Sequence, residues 1–423
     1  MGSARAQKLV SLLLGCVLAA LLLLFGLDGQ VEPRCSFGPD RVVAASRGKR
    51  IDAVALCFDH EGPVAFWSDI DGLFARRLDA GGRPTASAIR LAARCQGGID
   101  ARPGETGFVV ACLRRPFWQQ PALEASADGG IETGYADADA RSARSRARIS
   151  DPTELNERSG GVEVSTVTPR LAIASQVRFA GAGTMSRGIS LGAGGGRLRV
   201  ARHDGSPGRQ QVWLAVIDPV ERSSPRVISD PLRLARAPAL APGDKDWVVW
   251  AETWMQGERS RGQVTLYDGK GAPRRLLDVS YANADPRIIA VEGRRLLTYR
   301  QRRNSVDRPG LYFAWMDEDG RVLGEPVRVA RADADAPPAV DPCLGGLVVA
   351  APRTYGASQF IGVNLIELSL DKRGGEQHFY DISRKMSLAA AACPGAGSLL
   401  LAAEQGVSSQ KQTRVLSIAF SCE

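Results

Sequence analysis

The residues that could do chemistry are few, and the most regular of them are four aspartates. Asp52, Asp100, Asp285 and Asp335 each fall 12 to 16 residues before the end of a short apolar motif that recurs along the chain. Carboxylates gathered from successive repeats around one opening offer oxygen ligands to a hard cation such as calcium. They also offer a pair for acid–base work. The bland alternative is that each aspartate caps a turn through neighbouring backbone amides. The three histidines, His60, His203 and His378, are far apart in sequence and supply little material for a metal or proton-transfer centre. No nucleophile elbow, no Ser-x-x-Lys with its partners and no His-Glu-x-x-His is read in the chain, so no catalytic residue is assigned. Gly192-Ala-Gly-Gly-Gly196 lacks dinucleotide spacing and precedes a strand, so it reads as a turn. No cofactor and no resident metal are expected beyond the calcium alternative.

Seven cysteines, Cys35, Cys57, Cys95, Cys112, Cys343, Cys393 and Cys422, follow the apolar N-terminal segment, and none forms Cys-x-x-Cys. In an exported chain that pattern predicts disulfides. An odd number leaves at least one thiol free or bonded to another chain. Cys343 and Cys393 precede equivalent motifs by 8 and 9 residues, so they are expected to pair across adjacent repeats. Cys57 and Cys95 follow the same logic with looser spacing, 10 against 17 residues. Cys112 ends the apolar run Phe108-Val-Val-Ala and suits a small buried hydrophobe.

The elements that must position these groups are visible as repeats. The motif is a turn, an apolar run of four or five residues, and a polar turn. Its copies are Pro63–Trp67, Phe108–Cys112, Leu198–Ala201, Trp247–Trp250, Leu296–Tyr299, Leu347–Ala351 and Leu399–Ala402. Their last residues lie 45, 89, 49, 49, 52 and 51 apart, the 89 being close to two periods. Periods of ~40–50 residues built from short strands mark β-propeller blades. Within one period, Gln263-Val-Thr-Leu-Tyr267, the turn Asp268-Gly-Lys-Gly271 and Arg274-Arg-Leu-Leu277 read as a hairpin. The expectation is an all-β propeller over residues 35–423, with about four antiparallel strands per blade. Seven blades are expected, with six or eight as alternatives.

Residues 136–159, inside the long interval, read as an exposed charged loop. Its Arg141, Arg144, Arg146 and Arg148 form a basic cluster, either solvated or facing an anionic polymer or headgroup. Leu171–Phe179 would complete that blade. At the ends, Arg41–Ala45 has no blade of its own, and Thr413–Phe420 lacks partners. Pairing the two would remove exposed edges and bring Cys35 to Cys422.

Stretches such as Trp247-Val-Val-Trp250 and Gly72-Leu-Phe-Ala-Arg-Arg-Leu-Asp79, with Asp-Ala-x-Pro segments after them, resemble the repeats of exported bacterial β-propellers of the TolB-like and WD40-like group. The resemblance covers residues 45–423 and implies a fold rather than an activity. There is no Trp-Asp dipeptide, no kelch double glycine in every repeat, and no Ser-x-Asp-x-Gly-x-Thr-Trp box of the sialidase type.

Arg5 and Lys8 precede 19 mostly apolar residues, Leu9 to Leu27, ended by Asp28. At ~1.5 Å each these span roughly 28 Å, enough to cross a ~30 Å hydrocarbon core. Residues 1–8 are therefore expected in the cytoplasm, 9–27 as a transmembrane signal-anchor, and the bulk outside. A cleaved signal peptide, or the lipoprotein signal that Leu13-Leu-Gly-Cys16 imitates, are the alternatives, and all three export residues 30–423. Of 423 residues, 44% are hydrophobic and 24% charged, which excludes bulk disorder and a multi-span membrane protein. The net charge of +8 is spread along the chain and only 6% of residues are aromatic, which speaks against nucleic-acid binding. The reading that follows is a monomeric, membrane-tethered, non-enzymatic propeller in the periplasm of a Gram-negative bacterium, binding an unidentified envelope protein or glycan. The alternative is a carbohydrate-active hydrolase or lyase using paired carboxylates on the propeller face.

Overall fold

The computed structural model describes residues 35–47, 51–114, 161–180 and 188–422, apart from residue 94 and short stretches joining strands of the last span. Every regular element among them is a β-strand. No helix among the described residues is long and apolar enough to cross a membrane. The apolar segment 9–27, the loop 136–159 with its four arginines, Asp335 and Cys393 lie outside the described residues.

Two N-terminal strands, β1 (Cys35–Phe37) and β2 (Arg41–Arg47), precede the first sheet. That sheet comprises β3 (Ala53–Asp59), β4 (Gly62–Asp69), β5 (Gly72–Arg77) and β6 (Ile89–Ala92). The second holds β7 (Cys95–Gly104), β8 (Gly107–Arg114), β9 (Gly161–Val167) and β10 (Ile173–Ala180). The third holds β11 (Ile189–Gly194), β12 (Arg197–Asp204), β13 (Gln211–Ile217) and β14 (Arg226–Val227). The fourth holds β15 (Leu234–Leu240), β16 (Val248–Gln256), β17 (Arg259–Tyr267) and β18 (Arg274–Asp278). The fifth is β19 (Arg287–Val291), β20 (Arg294–Gln301), β21 (Gly310–Met316) and β22 (Val322–Ala330). The sixth is β23 (Ala339–Cys343), β24 (Gly346–Tyr355), β25 (Ser358–Glu367) and β26 (His378–Tyr380). The last contains β27 (Lys385–Ala392), β28 (Ser398–Gln405) and β29 (Gln412–Cys422).

Each sheet is an antiparallel meander, as blades are. The first strands of successive sheets touch in turn, from β3 through β7, β11, β15, β19, β23 and β27, and β27 returns to β3. That closed succession is a β-propeller, with the first strands innermost around the axis.

The recurring apolar motif is the second strand of every sheet. It reads as a continuous hydrophobic run because neighbouring sheets cover both of its faces. In β4, for example, Pro63 to Asp69 are all buried. The core is accordingly a series of clusters between consecutive sheets. Phe66 of β4 meets Phe108 of β8 edge-to-face at 5.6 Å, and Leu399, Leu401 and Val415 of the last sheet pack on Trp67 and Leu78 of the first. Removing one such ring, as in Phe66→Ala, costs about 3–5 kcal/mol.

The Asp/Gly turns have a shared mechanism. Asp79 and Asp317 each accept an amide from Arg83 or Arg321 at 2.7 Å, and their carbonyls accept from Gly82 and Gly320. At Gly72, φ is 137° and a Cβ would sit 2.0 Å from the Ala92 carbonyl, so no side chain fits.

Closure occurs where the sequence analysis expects it. β29 pairs with β28 on one side and with β1 and β2 on the other, with Ala44 opposite Val415 and Cys35 opposite Cys422. The 89-residue interval holds no extra sheet. It separates β8 from β12, second strands of consecutive sheets, and is lengthened by residues 115–160, which lie outside the described residues. The expected strand near Leu171–Phe179 is β10, the outer strand of the second sheet.

One cysteine assignment is corrected. Cys95 bonds to Cys112, with Cα atoms 5.6 Å apart, and Cys57 is free and buried. A register shift between Cys95 and Ile99 makes Ile99, not Cys95, the direct partner of Cys112. The bulge carries Cys95 to the position diagonal to Cys112 within its own hairpin. Cys112 is therefore a bridged residue rather than a plain hydrophobe.

Candidate functional site

The candidate site is the central channel. Side chains two apart on a strand share a face, and Asp100-Ala-Arg102 of β7 uses this directly. Ala101 is buried in the core between the first two sheets, while Asp100 and Arg102 turn away from it. Asp100 Oδ2 accepts the Leu191 amide of β11 at 2.8 Å and lies 3.5 Å from the Arg102 guanidinium. Arg102 keeps half of its side chain open to solvent. Asp100 holds its pKa above the ordinary arginine value, and Asp341 of β23 adds to the effect.

A second Asp-x-Arg unit, Asp285-Pro-Arg287, comes from the fifth sheet. Asp285 precedes β19 in a left-handed backbone, φ 45°, which aspartate tolerates better than bulkier residues. The preceding loop is pinned by the Arg300 amide, which donates to the Ala284 carbonyl at 2.6 Å. The Arg300 guanidinium of β20 forms an ion pair with the Asp285 carboxylate. Burial nevertheless pushes the Asp285 carboxyl above the usual range, against the opposing pull of Arg300 and Arg287. The protein atoms packed round the channel strip some water from Arg287 and draw it below its ordinary value, although solvent still reaches its side chain; Asp100 and Asp285 favour its charge, and Arg102 and Arg300 oppose it. Arg287 is exposed and makes no hydrogen bond or ion pair among the described residues.

The second and fifth sheets are separated by two sheets on the path through β11 and β15 and by three on the path through β3, β27 and β23, so their charges meet across the axis. Asp100, Arg102, Asp285, Arg287, Arg300 and Asp341 thus form one constellation of alternating sign. Of the four expected aspartates it unites Asp100 and Asp285. Asp52 leads into β3, its amide donating to the Ser68 carbonyl at 2.8 Å, and Asp335 lies outside the described residues. The three arginines and Asp341 were not foreseen. The repeated Asp-x-Arg spacing was the available signal. With each carboxylate matched by a guanidinium, the constellation has no excess negative charge to draw calcium.

Gly188-Ile-Ser190-Leu-Gly192 has the spacing of a nucleophile motif, which the sequence reading passed over. The structure places it on β11, with no strand-to-helix turn. Ser190 is buried and its Oγ accepts the Leu240 amide at 3.0 Å. Nearby His203 accepts the Ala237 amide at Nδ1, at 3.3 Å, where a catalytic triad needs that nitrogen to donate to a carboxylate.

No known family matches the chain, and no curated protein does. Among solved structures, it is similar to the subtype N10 neuraminidase-like protein of A/little yellow-shouldered bat/Guatemala, at 7% identity and TM-score 0.44 over 91% of this chain and 100% of that one. It is similar to the polysaccharide lyase Uly1, at 10% identity and TM-score 0.46 over 92% of each chain. A third likeness is to Trypanosoma rangeli sialidase in complex with the inhibitor DANA, at 9% identity and TM-score 0.44, covering 89% of this chain and 60% of that one. At these identities the likeness is one of fold. The TolB-like and WD40-like resemblance is not supported; the similar structures are sialidase-like and lyase folds. The expectation of a non-enzymatic binding module is corrected as well. No counterpart to it stands among these similar structures, which are a neuraminidase-like protein, a polysaccharide lyase and a sialidase.

Proposed function

We propose that the chain is a carbohydrate-active hydrolase or lyase whose active site is the channel constellation, set in a seven-bladed propeller. Seven sheets with first strands in closed succession support the blade number. The observation that carries the activity is a partly buried Asp285, ion-paired to Arg300 and pushed up by desolvation, within electrostatic reach of the same guanidinium as Asp100. A carboxyl kept protonated to higher pH suits a general acid toward a leaving oxygen. Asp100, fixed by the Leu191 amide and Arg102, is the second carboxylate, acting as base or nucleophile. Arg287, exposed and without a hydrogen bond or ion pair among the described residues, favours a sugar that carries a negative group. In the same proposal residues 9–27 anchor the chain in the inner membrane and place residues 35–423 in the periplasm, as a monomer.

The test is turnover by the full chain on a panel of uronate-bearing, sialylated and neutral glycans, following new reducing ends and unsaturated uronate. Cleavage of an acidic glycan, reduced about 10²–10⁴-fold by Asp285→Asn, is expected. Absence of turnover across the panel, or full activity in Asp285→Asn, would overturn the reading. Location is tested separately: a reporter fused after residue 40 should sediment with inner membrane and be open to protease from the periplasm.

A further inference from the structure

The second sheet carries a group of ligands away from the channel. The Sγ atoms of Cys95 and Cys112 and a carboxylate oxygen of Glu163 all lie within 4.8 Å of one another, and all three residues are buried. They come from the adjacent strands β7, β8 and β9, with Cys112 and Glu163 direct register partners. The Glu163 carboxylate is held in place by Gln176 Nε2 at 2.6 Å and Arg178 Nε at 2.9 Å, with Arg114 Nε at 3.5 Å.

We propose that reduction of the Cys95–Cys112 bond converts this staple into a binding site for zinc or a similar thiophilic dication. A dithiol or phosphine reductant supplies two electrons, and the two sulfurs take up two protons. Metal binding then releases those protons and leaves two thiolates and the Glu163 carboxylate as ligands. Thiolates select such metals and reject calcium and magnesium. At Zn–S about 2.3 Å in a tetrahedral shell the sulfurs stand about 3.8 Å apart, a separation their strands can supply by side-chain rotation. Three negative ligands face a dication and the two nearby arginines, so the buried charge stays close to neutral. Gln176 and Arg178 orient the carboxylate as outer partners do in metal sites. The oxidised staple ties β7 to β8, and the metal form ties β9 to them as well. That third tie spans the long connection at residues 115–160.

The test reduces the full-length protein with a phosphine and compares zinc with a chelator, mapping cysteine alkylation by mass spectrometry. Zinc is expected to slow modification of both Cys95 and Cys112 at least tenfold. Glu163→Gln should lower zinc affinity at least tenfold, and Cys57→Ser should leave it unchanged. Cobalt(II) should give thiolate charge-transfer absorption that Cys112→Ser abolishes. Equal alkylation of the two cysteines with zinc and with chelator, or unchanged affinity in Glu163→Gln, overturns the proposal. If reduction unfolds the chain, zinc should restore the fold, and failure to restore it is equally decisive against the site.

Discussion

Cys35 and Cys422 are direct partners in the antiparallel ladder between β1 and β29, joining the two ends of the described chain. Their side chains lie outside the described residues, and the backbone alone carries the argument. Opposed residues in such a ladder have Cα atoms ~4.5–5.5 Å apart, inside the range a disulfide requires. Non-reducing peptide mapping should therefore recover a Cys35–Cys422 linkage. The loop it closes is nearly the whole chain, where the chain-entropy account gives on the order of 5 kcal/mol as an upper value. Cys35→Ser with Cys422→Ser should unfold at lower temperature with its far-ultraviolet spectrum kept. An unchanged midpoint under oxidising conditions would show that the seam needs no covalent lock.

The pH dependence of turnover should report Asp285. With its pKa raised by burial, the acid is competent below that value and fails as pH rises through it. Activity should fall on the alkaline side, and that limb should vanish in Asp285→Asn along with most of the rate. Asp100→Asn should instead remove activity at every pH. A profile whose alkaline limb persists in Asp285→Asn would assign the proton to another group.

His203 predicts a separate effect on stability. Burial, with Arg236 adding to it and Asp204 opposing, lowers its pKa from 6.5 to about 4. The folded state thus binds fewer protons than the unfolded state between those values, so stability rises with pH across that window. It is lost as pH falls from about 6.5 to about 4, amounting to about 3 kcal/mol. His203→Gln keeps an acceptor for the Ala237 amide and should flatten this part of the urea-midpoint profile. A slope equal to the parent's would exclude His203 as its source.

Cys57 should be inert in the native protein. It is 4% exposed, and burial pushes its thiol up to about 12, so almost no thiolate exists at neutral pH. The native protein and Cys57→Ser should show the same number of reactive thiols, with one extra in the parent after unfolding. A native-state difference would mean that the first two sheets open readily.

Much of the fold was legible because each second strand is buried on both faces. Runs such as Trp247-Val-Val-Trp250 therefore stand out as continuous apolar segments at a fixed period. The pairing of Arg41–Ala45 with the C-terminal strand was legible for a similar reason, since both were strands without partners. Less was legible where local geometry departs from spacing. The register shift after Cys95 moves that residue onto Cys112, and no count of residues shows it. Arg102 and Arg287 were hidden by the chain's arginine-rich composition. Only their common offset, two residues after an aspartate on or just ahead of an inner strand, separates them from the rest.

The pairing of β29 with β1 and β2 also orders events in time. Of the described strands, β1 and β2 leave the ribosome before the others and their partner β29 after them, so the two wait unpaired while the sheets between are made. The seam waits for β29 and draws on contacts of the greatest sequence separation, the kind that forms slowly. Until then the early strands travel with open hydrogen-bonding edges, the state in which a β-protein is most exposed to aggregation. For this chain biogenesis, rather than the finished ring, is the vulnerable stage, and a stop codon anywhere before Gln412 would prolong it indefinitely.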